Sequence, residues 1–99
     1  MIKVTFLYGH PKDPAAFEKH IVEVHNPLAS KVKGIRRVET AKTVGPDAKY
    51  YRIHELWFDD VDAMQASLGS PEGAATKADV ANFATGGVTV LVSEIEGHH

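Results

Sequence analysis

The hydrophobic pattern of this chain changes period several times, and the order of the changes restricts the fold more than any single residue does. Residues 2–8 alternate between apolar and other side chains, which is the period of a β-strand. The next apolar residues recur at spacings of four, three and four, which predict an amphipathic helix. The stripe on this helix consists of Phe17, Ile21, Val24 and Leu28.

The rest of the chain continues the alternation between strands and helices. Residues 35–44, 50–58 and 88–93 are rich in β-branched, aromatic or alternating apolar side chains and predict three more strands. Helices are predicted at 61–68 and 71–83, between the third and fourth strands. The order is β-α-β-β-α-β with an extra helix, which is the ferredoxin-like plan of the α+β class: an antiparallel sheet with helices on one face.

Local signals indicate where the helices begin and where the first one is disturbed. Asp13-Pro14 is a typical N-cap and first helical residue, and Asp59-Asp60 offers a cap for the next helix. Pro27 has no N–H and disfavours helical geometry at Asn26. We therefore expect a kink or a restart here, with Asn26 as a new N-cap.

The two faces of the predicted sheet differ in what covers them. The residues expected to face the helices are Val4, Phe6, Val90 and Val92. The opposite face is only partly polar, because it carries Leu7, Leu91 and Ile95. One layer of helices cannot cover both faces, so we expect the uncovered face to pair with a second copy of the chain in a homodimer.

Composition narrows the class of protein. Residues 1–99 are the length of one domain, and a net charge of −2 without a basic stripe argues against nucleic acid as a partner. The apolar runs are too short to span a membrane and no signal peptide is recognised. The absence of cysteine excludes disulfides and Cys-based metal sites and fits a cytoplasmic protein. His98-His99 is either a native end or a tag remnant, and it is left out of any metal argument.

Several stretches resemble one known family. The first is His25-Asn26-Pro27-Leu28 followed by Gly34-Ile35-Arg36-Arg37, the second is Glu55-Leu56-Trp57-Phe58-Asp59, and the third is Ala78-Asp79-Val80-Ala81-Asn82-Phe83. In this order they resemble the EthD family, named for a protein of ethyl tert-butyl ether degradation, within the dimeric α/β barrel superfamily. The resemblance extends from Lys3 to about Glu94.

This resemblance implies a fold and a cavity but no single reaction. It implies a ferredoxin-like protomer, a dimer whose two sheets close into a barrel, and a small cavity between sheet and helices. Relatives in the superfamily include muconolactone-type isomerases, polyketide cyclases, cofactor-free quinone-forming monooxygenases and heme enzymes. The fold is thus compatible with several reactions, and the reaction depends on the residues of the site.

His25 is the candidate catalytic residue. It matches the histidine of the family's His-x-Pro-Leu motif, and on a helical wheel it falls to one side of the apolar stripe. Its ordinary pKa of about 6.5 suits general acid–base catalysis near neutral pH. The alternative is an interfacial histidine that hydrogen-bonds a carbonyl at the helix end, and both interpretations stay open.

Tyr8, Tyr51 and His54 are the candidates for binding substrate. The two tyrosines can offer a hydroxyl to a substrate carbonyl or simply pack in the core. His54 lies in mid-strand and faces either the cavity or the dimer interface. Asp79 is expected to be a helix-surface or capping carboxylate.

The sequence predicts no metal and no cofactor. His20 and His25 are five residues apart, about 140° around an α-helix, so they are expected to diverge. The body of the chain has no His-x-His or Glu-x-x-His pair. A heme would need an axial histidine over a large cavity, and bulky Trp57 and Phe58 argue against that space.

Together these observations favour a cofactor-independent enzyme acting on a small apolar or aromatic carbonyl compound. Isomerisation, cyclisation or dehydration would need His25 to move a proton while Tyr8, Tyr51 or His54 orients an oxygen. Two alternatives remain: a non-catalytic binding or accessory protein of a degradation pathway, and a cofactor-free monooxygenase.

Overall fold

A computed structural model describes residues 1–97 and shows one four-stranded antiparallel sheet. The strands are β1 (Ile2–Tyr8), β2 (Arg37–Lys42), β3 (Arg52–Phe58) and β4 (Val88–Glu94), in the spatial order β2-β3-β1-β4. The ferredoxin-like α+β fold is thereby confirmed, although β2 and β3 are shorter than predicted. His98-His99, which the sequence interprets as either a native end or a tag remnant, lies outside the described residues.

Helices cover one face of the sheet, and N-caps are present at Asp13 and Asp60, as the sequence predicts. The helices are α1 (Pro14–His20), α2 (Asn26–Ala29), α3 (Val61–Leu68) and α4 (Pro71–Phe83). Asp13, Asp60 and Ser70 each accept a hydrogen bond on the side chain from the N–H three residues further on. No helix within residues 1–97 has the length and apolar character needed to cross a bilayer.

The first helix does not restart at Pro27; it widens. A π-helical turn, Ile21–His25, joins α1 to α2, and the N–H of Asn26 donates to the carbonyl of Ile21 five residues back. Asn26 has helical backbone angles of φ −60° and ψ −43°, so the predicted new N-cap at this residue is wrong. The wider turn relieves the clash between a proline ring and the carbonyl four residues earlier, and the helix continues past Pro27.

The π-helical turn also changes which side chains face the sheet. Phe17 and Ile21 are buried as predicted, but Val24 is 41% exposed and His25 is only 7% exposed. The buried residues are therefore spaced four and four instead of four and three. Because the turn contains an extra residue, His25 occupies the buried position that the α-helical wheel assigns to Val24.

The helices leave the β4 edge of the sheet uncovered on their own side. Val4 lies opposite Val92 and Phe6 lies opposite Val90, so these four side chains share the helix-side face as predicted. Val90 and Val92 are nevertheless 50% and 57% exposed, because the helices of the protomer do not extend over the edge strand β4.

An aromatic cluster joins the first helix, the sheet and α4. Tyr8, Phe17, Ile21 and Phe83 are its buried members. The ring of Phe17 meets those of Tyr8 and Phe83 nearly edge-on, with centroids 5.5 Å and 5.2 Å away. This cluster fixes the distance between α4 and the sheet next to His25.

Replacing Gly73 with alanine is expected to destabilise the protein. Helical glycine-to-alanine changes normally stabilise by about 0.5–1 kcal/mol. Here the added Cβ would lie 2.2 Å from the carbonyl oxygen of Ser67, so α3 and α4 would have to move apart. We expect a loss of about 1–3 kcal/mol in urea unfolding. An unchanged or raised stability would show that the two helices are not in close backbone contact.

Candidate active site

A cavity of about 270 Å³ lies between the helix-side face of the sheet and the helices. The strand register gives it two ends. His54 and Thr40 are paired across β3 and β2, while the next pair on the same face of the sheet, Leu56 and Val38, is apolar. Further lining residues are Tyr8 and His25 on the polar side and Ile35 and Leu68 on the apolar side.

His25 and Asp79 form a buried hydrogen-bonded pair at this cavity. His25 Nδ1 lies 3.1 Å from Asp79 Oδ2, and the two residues are 7% and 5% exposed. A carboxylate only accepts hydrogen bonds, so Nδ1 of His25 must carry the proton. The lone pair of neutral His25 is then on Nε2. This nitrogen has no protein partner among the described residues, and no buried polar atom among them lacks one, so Nε2 is open to the cavity.

Asp79 is held by three donors at once. His20 Nε2 lies 2.9 Å from Oδ1, and Asn82 Nδ2 donates to the same oxygen at 3.0 Å. The expected divergence of His20 and His25 is wrong, because a π-helical turn brings residues five apart onto one side. Within residues 1–97 no group of three His, Asp or Glu side chains is arranged to hold a metal ion.

The role of Asp79 is the main feature that sequence reasoning missed. The residue was expected on the helix surface, yet it is buried between α4 and the π-helical turn. A signal was present, since Asp79 precedes the core residue Phe83 by four positions and so shares its face of the helix. A carboxylate on a core face requires hydrogen-bond donors.

The protonation states of this pair follow from its surroundings. Burial by itself raises the pKa of Asp79, but hydrogen bonds from Asn82, His20 and His25 outweigh burial and hold that pKa below its usual value. Burial lowers the pKa of His25, while the hydrogen bond and charge of Asp79 act in the opposite direction and reduce this effect. The pair is therefore a carboxylate and a neutral imidazole near pH 7.

His54 faces the cavity from β3 and is 6% exposed. Its Nε2 accepts a hydrogen bond of 3.0 Å from Nε of Arg52. Burial, with the positive charge of Arg52 as the second cause, lowers the pKa of His54 to about 4. His54 is thus neutral at physiological pH.

Tyr8 lies beside His54, with ring centroids 5.0 Å apart, and is only 1% exposed. Burial, and then the nearby Asp79 carboxylate, hold the pKa of Tyr8 well above its usual value, so the phenol stays protonated. Its hydroxyl has no protein partner within residues 1–97. Since those residues contain no buried polar atom without a partner, the hydroxyl must also reach the cavity that Tyr8 lines.

Tyr51 is not one of the cavity-lining residues. Its hydroxyl donates to Glu18 at 2.9 Å, and its ring packs edge-on against Phe17 on the side of α1. Three of the four residues predicted for the site therefore come together at the cavity, and Tyr51 supports a neighbouring ion-pair network.

The fold and the site together define a class of protein: a ferredoxin-like domain with a small, mostly apolar cavity between its sheet and its helices. Residues 10–87 match the EthD domain. The "Uncharacterized 11.0 kDa protein in thcB-thcC intergenic region" of Rhodococcus erythropolis is 38% identical over 99 residues, covering 97% of this chain and 96% of its own. An EthD family protein from Bacillus halodurans C-125 aligns with a TM-score of 0.89 at 31% identity, over 97% and 99% of the two chains. The chain belongs to the EthD family.

More distant solved structures share the fold alone. A hydroxynitrile lyase from Passiflora edulis aligns with a TM-score of 0.77 at 14% identity, over 99% and 96% of the chains. SnoaB, a cofactor-independent oxygenase from Streptomyces nogalater, aligns with a TM-score of 0.70 at 15% identity, over 98% of this chain and 93% of its own. A dimeric ferredoxin-like protein of unknown function from Thermobifida fusca aligns with a TM-score of 0.75 at 12% identity, over 95% of this chain and 90% of its own.

Acidification is expected to destabilise the protein partly through His54. The unfolded chain binds a proton on this residue near pH 6.5, whereas the folded chain binds it only near pH 4. Between these values the unfolded state holds more protons, so stability falls as pH is lowered. The contribution of His54 between about pH 7.5 and about pH 5 is about 2 kcal/mol.

Urea unfolding of wild type and His54→Gln at the two pH values measures this contribution. The variant should lose about 2 kcal/mol less than wild type on acidification. His10→Gln is the matched control, because His10 is an exposed loop residue. Equal acid sensitivity of wild type and His54→Gln would contradict the assignment of a buried, neutral His54.

Proposed function

We propose that this protein is a cofactor-independent enzyme that moves a proton within a small apolar or aromatic carbonyl compound. The observation that carries the proposal is the buried pair of His25 and Asp79 at the edge of an apolar cavity. A neutral imidazole with one nitrogen fixed by a carboxylate and the other open to a cavity has the arrangement of a general base.

The chemistry follows from the groups around the cavity. Nε2 of His25 takes a proton from the carbon next to the carbonyl, and the C–H electron pair forms an enolate. The Tyr8 hydroxyl donates a hydrogen bond to the oxygen on which negative charge develops. The imidazolium, stabilised by Asp79, then returns the proton.

The place to which the proton returns decides the reaction. Return to a different carbon moves a double bond, which is an isomerisation. Attack of the enolate on a second carbonyl of the same molecule, with the proton delivered to the new alkoxide, is a cyclisation. Loss of a β-hydroxyl group as water, with the proton placed on the departing oxygen, is a dehydration.

The shape of the cavity supports an apolar substrate with one polar end. The apolar pair Leu56 and Val38 lies two residues along the strands from His54 and Thr40. A ring or short chain packed on the apolar end would place its oxygen near Tyr8. The same fold occurs in proteins named as a hydroxynitrile lyase and a cofactor-independent oxygenase.

Exchange of carbon-bound hydrogen tests the proposal before the substrate is known. A panel of cyclic enones, aryl ketones and lactones is incubated with the protein in D₂O, and loss of the proton signal next to the carbonyl is followed by NMR. We expect His25→Gln to slow the exchange about 10²–10⁴-fold, because the general base is removed. His10→Gln, which alters a loop imidazole outside the cavity lining, should exchange like wild type.

Asp79→Asn gives a second test of the same pair. The amide can donate to the histidine as well as accept from it, so it does not impose the proton on Nδ1. Exchange should again fall. If panel compounds raise the melting temperature equally in wild type and His25→Gln and no exchange occurs, the chain is a binding or accessory protein. Oxygen uptake with electron-rich phenols would favour a monooxygenase.

We also propose that two copies of the chain pair as a homodimer. Leu91 of β4 lies opposite Thr5, on the sheet face turned away from the helices, and is 50% exposed in the protomer. A relative of the same fold is described as dimeric. The cytoplasmic location expected from the sequence stays a prediction.

Leu91→Lys should weaken this dimer. The substitution places a charge on the sheet face turned away from the helices, where desolvation is costly if a second copy covers it. Sedimentation velocity at micromolar concentration should show a shift from dimer to monomer. Val44→Lys, at a residue that is 96% exposed outside the strands, should leave the dimer intact. A dimer of unchanged strength in Leu91→Lys would contradict an interface at this position.

A further inference from the structure

His54 differs from His25 in what holds its second nitrogen. Nε2 of His54 accepts the Nε–H of Arg52 at 3.0 Å. Arg52 is fixed in turn, because its side chain is 16% exposed and its terminal nitrogen lies 3.3 Å from Oε1 of Glu18. The same oxygen receives the Tyr51 hydroxyl at 2.9 Å and Nζ of Lys42 at 3.1 Å. The guanidinium therefore has a carboxylate on one side and the imidazole on the other.

A guanidinium has donors only and is not deprotonated in proteins. The nitrogen that receives its N–H must then be unprotonated, so neutral His54 carries its proton on Nδ1. Nδ1 has no protein partner within residues 1–97, and those residues contain no buried polar atom without one. Because His54 lines the cavity, its Nδ1–H is open to the cavity.

We propose that Arg52 is a positioning residue that fixes His54 as a hydrogen-bond donor toward the bound substrate. His54 acts neither as a base nor as an acceptor in this site. It supplies, together with the Tyr8 hydroxyl, a donor pair for a single substrate oxygen. This assignment rests on the proposed function only for its catalytic consequence; the proton position on His54 is a property of the free protein.

The donor pair restricts the class of substrate. Tyr8 stays protonated and His54 offers only an N–H, so the polar group of the ligand must accept hydrogen bonds. Ketones, lactones and the enolates formed from them meet this requirement, as do phenolates. Two neutral donors that bind one oxygen stabilise it more as negative charge develops, which is the role of an oxyanion hole.

The two histidines thus have opposite tasks because their partners differ. Asp79 accepts from Nδ1 of His25 and leaves Nε2 as a base. Arg52 donates to Nε2 of His54 and leaves Nδ1–H as a donor. The same side chain serves as proton acceptor in one position and as electrophile in the other.

NMR of the free protein labelled with ¹⁵N-histidine tests the assignment directly. Long-range proton–nitrogen correlation spectra distinguish protonated from unprotonated ring nitrogens. At pH 7 we expect His54 to show a protonated Nδ1 and an unprotonated Nε2. A protonated Nε2 in the wild-type spectrum would overturn the proposal, whatever the behaviour of any variant.

Variants separate positioning from simple packing. Arg52→Met removes the donor and keeps much of the side-chain length, so the proton of His54 should redistribute to Nε2, and exchange in the ketone panel should slow at least about tenfold. Lys42→Met is the matched control, because Lys42 binds the same Glu18 oxygen but does not touch His54. It should keep the Nδ1–H form and the wild-type rate.

The outcomes separate this inference from the proposed function. A fixed Nδ1–H form that is lost in Arg52→Met, with no exchange of any panel compound, supports the inference and counts against the enzymatic proposal. Exchange that depends on His25 while His54 carries its proton on Nε2 supports the enzymatic proposal and counts against the inference about Arg52. Arg52→Met with an unchanged proton position would overturn the positioning role.

Discussion

The π-helical turn at Ile21–His25 is the constraint on which the candidate site depends. It adds one residue to a turn of the first helix, and so rotates His25 into the buried layer while Val24 moves outward. The same turn brings His20 and His25, five residues apart, to one carboxylate on α4. A regular helix would separate these imidazoles, and Asp79 would lose one of its donors.

Asp79 shows how a buried charge is made tolerable. Removing a carboxylate from water is costly unless hydrogen bonds replace the lost hydration. His20, His25 and Asn82 provide these bonds, so the charged form persists and orients His25. The result is a structural contact between α4 and the first helix that also defines the chemistry of an imidazole at the cavity.

The register of the sheet gives the cavity a polar end and an apolar end. His54 and Thr40 are neighbours across two strands, and the next pair on the same face, Leu56 and Val38, is apolar. Polar and apolar ends of the cavity are therefore separated by two residues of strand, about 7 Å. On the polar side Arg52 donates to Nε2 of His54 and is itself held by Glu18.

The sequence by itself determined the elements of this protein. The period of two in 2–8 and 88–93, the caps at Asp13 and Asp60, and the element order β-α-β-β-α-β follow from local patterns, and the structure has them. Local patterns also located Tyr8, His25 and His54 on elements that line the cavity. They gave the ends of β2 and β3 less well, because strand pairing and not propensity decides where a ladder stops.

Only the tertiary structure decided which partners the candidate site residues have. The contact between His25 and Asp79 joins residues 54 positions apart, and neither side chain carries a local signal for the other. The π-helical turn is a compromise between Pro27 and packing on the sheet, which a wheel of fixed 100° steps cannot represent. The proton positions of His25 and His54 depend on a carboxylate and a guanidinium brought to them by the fold, since either ring nitrogen of a neutral imidazole can carry the proton.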